Sequence, residues 1–126
     1  MPNHVHLLIW PREEVPPILK SIKLSVSKRA VTWTKANAPE FLPQMLDLQP
    51  NGKQSNRFWQ RGGGYGRNLW EPEKIWKAID YIHMNPVKAG LCDGPYDWAW
   101  SSAKFFTPER SGPLKIDLET IPGRPV

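Results

Sequence analysis

The sequence predicts an α+β fold, on three observations. Val15–Ala36 and Glu71–Asn85 carry apolar residues at helical spacing. His4–Trp10 is a short apolar run between prolines, as expected of a strand. Fourteen prolines and nine glycines cut the rest into short pieces, with no internal repeat. At 126 residues the chain has the length of one domain.

In HVHLLIW (4–10) the alternation of a strand puts His4 and His6 on one face and Val5 and Leu7 on the other. The first helix opens on Pro16 and Pro17, which suit a first turn where N–H groups have no helical partner. Val15, Ile18, Leu19, Ile22, Val26, Ala30 and Trp33 form its apolar stripe; Lys20, Lys23, Lys28 and Lys35 form a basic opposite side. Asn37–Asn56 reads as a loop, with turn signals at Pro39, Pro43, Pro50 and Asn51-Gly52 and a short helical turn around Phe41–Leu48.

Arg57–Leu69 has strand-like ends around Gly62-Gly63-Gly64. There Arg57, Arg61 and Arg67 interleave with Phe58, Trp59 and Tyr65. Guanidinium groups bind phosphate and rings stack on bases, so the mixture suits single-stranded nucleic acid; a hairpin with surface arginines fits equally.

In the second helix Pro72 fits the first turn, Glu71 and Glu73 complement the helix dipole, and Pro86 is the expected stop. Ile75, Ala78, Ile79 and Ile82 form the buried stripe, and Tyr81 and Asn85 share a flank one turn apart, away from His83. In the closing segment Val87–Trp100, Trp98 and Trp100 alternate toward one core. Beyond Ser102 an irregular, poorly ordered tail is expected, strand-like only at Leu114–Ile121.

Composition narrows the function. Seven Trp and four Phe argue for a packed chain. No apolar run approaches about 18 residues, so no membrane partner is expected. Cys92 is the single cysteine; no disulfide or CxxC zinc pattern can form, no secretion signal is visible, and a reducing, cytoplasmic location is the expectation. Seventeen Lys+Arg against twelve Asp+Glu give a net charge of +5, which favours a polyanionic partner.

Two histidines at i and i+2 on a strand can hold a metal ion. An HxH pair alone is more often a satisfied surface or core pair than a site. Asn85 is a candidate third ligand. Two imidazoles and an amide oxygen carry no negative charge, so an ion keeps its full charge for a phosphate; Mg²⁺ or Mn²⁺ suits such a set better than structural zinc. Tyr81, one turn before Asn85, would then lie near that phosphate as a nucleophile, although a tyrosine flanking a buried stripe is usually only a core-edge residue. Tyr65 and Tyr96 are rival tyrosines.

Met1-Pro2-Asn3-His4-Val5-His6-Leu7-Leu8 resembles the HUH motif of single-strand DNA transposases. Arg57-Phe58-Trp59-Gln60, the glycines and Tyr65 resemble the strand before their catalytic helix. Tyr81–Leu91 (YIHMNPVKAGL) resembles their tyrosine helix, and Trp98-Ala99-Trp100-Ser101-Ser102 their closing segment. The branch it most resembles is the REP-associated tyrosine transposases.

The resemblance implies a ferredoxin-like antiparallel sheet with helices on one side, incomplete at the N-terminus because family members have a strand and helix before the motif. It implies a catalytic domain over residues 1–102, N-terminally truncated, with 103–126 as tail. It implies Tyr81 as nucleophile, His4, His6 and Asn85 as ligands of Mg²⁺ or Mn²⁺, and single-stranded hairpin DNA as substrate, cut and rejoined through a 5′-phosphotyrosine link. Arg57, Arg61, Arg67, Lys74 and Lys88 are the expected DNA contacts, and a homodimer is compatible with the family. A truncated sheet is expected to fold poorly or cut weakly. The competing expectations are a hairpin-binding module that does not cut, and an inactive remnant.

Overall fold

The structure is a computed structural model and describes residues 1–62 and 64–126. Its elements run α1 (Val15–Asn37), a 3-10 helix (Pro39–Met45), β1 (Leu46–Leu48), β2 (Gln54–Asn56), α2 (Pro72–Lys88) and two further 3-10 helices, Ala103–Phe106 and Leu118–Thr120. The chain is therefore mixed α+β. Its described residues divide into two compact units, Pro11–Tyr65 and Met1–Trp10 with Gly66–Val126.

In the first unit α1 begins and ends where the apolar spacing places it, within one residue. The stripe itself is less covered than expected. Ile18, Leu19 and Ala30 are half-buried, but Val15, Ile22 and Val26 are exposed and Trp33 keeps 62% of its surface. An amphipathic helix buries its stripe only where a second layer faces it, and the one buried residue of α1 is Thr34, whose hydroxyl donates to the Ala30 carbonyl at 2.9 Å. The Trp59 indole N–H donates to the Lys23 carbonyl at 3.0 Å and ties the segment after β2 to α1.

The expected loop at 37–56 is more ordered than its turn residues suggest. The helical turn is the 3-10 helix Pro39–Met45, and a hairpin follows it, with Leu46 opposite Asn56, Asp47 opposite Ser55 and Leu48 opposite Gln54. Asn51-Gly52 supplies the turn. Gly52 has φ +77°, a left-handed conformation easily adopted without a Cβ, and the Asn51 side chain accepts the Lys53 N–H.

The hairpin inverts the usual alternation: Asp47 is buried while Leu46 and Leu48 are exposed. A buried carboxylate needs partners. Arg57 Nε donates to Asp47 Oδ2 at 2.9 Å and Arg61 Nε to Oδ1 at 2.8 Å. The strand expected at the start of 57–69 does not form; Arg57 continues the ladder only through its N–H to the Met45 carbonyl. Of the expected glycine bend, Gly63 lies outside the described residues.

In the second unit α2 runs past its expected stop. Pro86 lies within its last turn and is buried, and the helix ends at Lys88. The actual terminator is Gly90, at φ +67°. Its N–H donates to the Val87 carbonyl and the Leu91 N–H donates to Pro86, the paired bonds of a Schellman cap. Ile79 is buried, and Ile75, Ala78 and Ile82 are half-buried.

His4–Trp10, expected as a strand, is irregular chain without a ladder; among the described residues no strand lies beside it. A β-prone run becomes a strand only when a neighbour takes its backbone hydrogen bonds. Trp98 is half-buried but Trp100 remains 80% exposed, so the two do not share a core.

The tail also departs from expectation. Leu114–Ile121 contains a 3-10 turn rather than a strand. The Trp76 indole N–H donates to the Pro122 carbonyl at 2.9 Å. Arg124 lies 4.9 Å from the Trp76 ring and pairs with Asp80 at 2.7 Å. The end of the chain is thereby fastened to α2.

Candidate functional site

Tyr81 follows Ile79 by two residues, about 200° around the helix axis. Burying Ile79 therefore turns Tyr81 outward, and 49% of its surface is accessible. Its ring nonetheless has a neighbour from a segment 75 positions earlier. The His6 ring stands edge-on to Tyr81, with centroids 5.3 Å apart and planes at 77°, and His4 stands edge-on to His6 at 4.9 Å and 83°. The two imidazoles and the phenol ring thus form one continuous cluster.

The nitrogens of the two histidines differ in their partners. His4 Nδ1 lies 2.7 Å from Asn3 Oδ1. An amide oxygen only accepts, so this contact requires a proton on Nδ1, which directs any lone pair of the ring to Nε2. His6 Nε2 is buried and has no hydrogen-bond partner. Burial, then the neighbouring His4 and the N-terminal amine, push the His6 pKa below its ordinary value. The shift favours the neutral ring, the form that binds a metal ion.

Asn85 lies one turn beyond Tyr81 and is half-buried. Among the described residues no three His, Cys, Asp or Glu side chains converge as a metal cage. A third ligand beside the histidines would have to be of another type, and a carboxamide qualifies.

The basic residues expected at DNA divide into two groups. Arg57 and Arg61 are engaged by Asp47, and an Arg61 terminal nitrogen also donates to the Leu48 carbonyl. Lys74 pairs with Glu71. Arg67 is exposed. Lys88 lies at the tyrosine, its Nζ 5.9 Å from the Tyr81 ring centroid. Tyr65 is 93% exposed and Tyr96 50% exposed; among the described residues only Tyr81 has a histidine ring against it.

Asp47 was not singled out from the sequence, yet it organises its unit. It is the only acidic residue between Glu40 and Glu71, in a stretch holding Lys53, Arg57, Arg61 and Arg67. That isolation was the available signal. Hydrogen bonds from Arg61 and then Arg57 outweigh burial and hold its pKa below the ordinary carboxylate value. On α2, His83 points away from Tyr81 as expected: its Nε2 lies 3.1 Å from Ser102 Oγ and its ring packs against Phe106.

No family model, curated protein or solved structure matches the chain, so a functional reading rests on these residues themselves.

Proposed function

We propose that the chain is a DNA strand transferase of the HUH single-strand transposase type, acting on single-stranded hairpin DNA with Tyr81 as nucleophile. The observation that carries the reading is the meeting of His4, His6 and Tyr81 in one cluster, since these are the groups the resemblance pairs. On this reading the α+β chain belongs to a ferredoxin-like arrangement.

The donor set fits a divalent ion. His6 has a buried nitrogen without a partner, His4 Nδ1 faces the Asn3 amide oxygen and leaves Nε2 for a ligand, and Asn85 offers a neutral oxygen nearby in sequence to Tyr81. His4, His6 and Asn85 would hold Mg²⁺ or Mn²⁺, which when bound polarises the scissile phosphate as a Lewis acid.

Tyr81 Oη attacks the phosphorus. The bond from phosphorus to the 3′ oxygen breaks, the phenolic proton passes to water and the departing 3′ oxygen takes one up. The products are a 5′-phosphotyrosine and a free 3′-OH. Attack of a second 3′-OH on the link reverses these transfers and restores the phenol, so the number of phosphodiester bonds is conserved. The exposure of Tyr81 supports this role, because the ring must meet a strand arriving from solvent.

The test is a covalent adduct. The full chain is incubated with a pool of single-stranded hairpin oligonucleotides and Mn²⁺, then denatured and resolved by size. Adduct is expected with the unaltered protein, none with Tyr81→Phe, and strongly reduced adduct with His4→Ala or His6→Ala. Hairpin binding without adduct refutes strand transfer and leaves a binding module. Adduct that survives Tyr81→Phe but not Tyr65→Phe refutes the choice of nucleophile.

A further inference from the structure

We infer that Lys88 forms a phosphate subsite beside Tyr81, contacting a non-bridging oxygen of the phosphodiester that Tyr81 attacks; this inference rests on the strand-transfer reading. Lys88 Nζ lies 5.9 Å from the Tyr81 ring centroid. The two residues are seven apart, two helical turns, with Asn85 between them on the same stripe. A flexible, exposed ammonium at that distance reaches a phosphate placed at the phenol oxygen without any movement of the helix.

Two features distinguish Lys88 from Arg57, Arg61 and Lys74. Arg57 and Arg61 share the Asp47 carboxylate and Lys74 is paired with Glu71, so these charges already have counterions. Lys88, in contrast, has an aromatic face as its neighbour, which leaves the ammonium hydrogens free to donate to an anion. Its backbone is also fixed: the Gly90 cap closes the helix immediately after it, and the buried Pro86 anchors the same turn. Attack on a phosphodiester builds negative charge on the non-bridging oxygens, and a positioned cation there stabilises the transition state more than the ground state.

The experiment compares Lys88→Met and Lys88→Arg with the unaltered full chain, scoring the rate of adduct formation on the hairpin pool with Mn²⁺. The cleaved phosphate is mapped, and the substrate is remade with a methylphosphonate there, which removes one non-bridging charge. Lys88→Met is expected to slow adduct formation about 10²-fold on the phosphodiester, the loss usual for one transition-state donor. Lys88→Arg is expected to recover most of that loss. On the methylphosphonate the deficit of Lys88→Met should shrink to a few-fold, because the charge it served is gone.

An equal deficit on both substrates would make Lys88 a structural residue and overturn the inference. So would an unimpaired Lys88→Met, with strand transfer itself left intact. Failure of the unaltered protein to form any adduct overturns the strand-transfer reading, and this inference with it.

Discussion

Shortening Ile79 tests whether the orientation of Tyr81 depends on core packing. Ile79 keeps only 4% of its surface and is the buried isoleucine of α2. Ile79→Ala removes three carbons, at about 0.8 kcal/mol each, or about 2.4 kcal/mol of lost transfer free energy. A cavity adds to this, and such changes cost about 2–5 kcal/mol. Ile75, Ala78 and Ile82 are only half-buried, so the surroundings can settle into the gap and the lower part of the range applies. The expected losses are about 2–3 kcal/mol for Ile79→Ala and about 1 kcal/mol for Ile79→Val. Urea unfolding followed by far-ultraviolet circular dichroism measures both, with the denaturant slope unchanged. A loss below about 0.5 kcal/mol for alanine, the range of a surface substitution, would refute the claim that this side chain seats the helix.

Other perturbations have equally definite outcomes. Gly90→Ala places a Cβ in open space but at φ +67°, so its cost is conformational, about 1–2 kcal/mol in urea unfolding; a neutral result would show that α2 does not need this cap. Asp47 has a lowered folded pKa, so its contribution to stability is complete above the unfolded value of about 3.9 and disappears as pH falls through the folded one. Asp47→Asn should flatten the stability profile in that acid window. His83 is lowered by burial, so folding favours its neutral form: stability is full above about pH 6.5 and declines as pH falls toward the folded value. His83→Gln should reduce that decline below about pH 6.5, and an unchanged slope would show that protonation of His83 is not resisted there.

The parts legible in the sequence are those fixed by local rules. The bounds of α1 follow from apolar spacing and two opening prolines, and the Asn51-Gly52 turn follows from the need for a left-handed residue. Pro86 misled because a proline in a last turn removes a hydrogen bond without preventing the turn, and Gly90 rather than Pro86 closes α2. The His4–Trp10 strand was not decidable locally, since pairing depends on a neighbour that composition does not reveal. His6 and Tyr81 meet although they lie 75 residues apart in sequence, which the residues suggested only through a shared ion and the resemblance through a known motif order. The capture of Arg57 and Arg61 by Asp47 was missed because arginines among aromatics look the same whether they await a phosphate or hold a carboxylate.

The unpaired stretch before α1 has a kinetic consequence. Among the described residues, none of the amides from Met1 to Trp10 donates to another backbone group. Their protons should therefore trade with deuterated solvent at rates close to those of an unstructured peptide, while the amides around Ile79 wait for α2 to open. The imidazoles thus ride on a quick-labelling part of their unit and the phenol on one of the slowest. Any ligand that bridges them would be registered as slowed deuterium uptake across His4–Trp10, a signal readable without knowing what the ligand is.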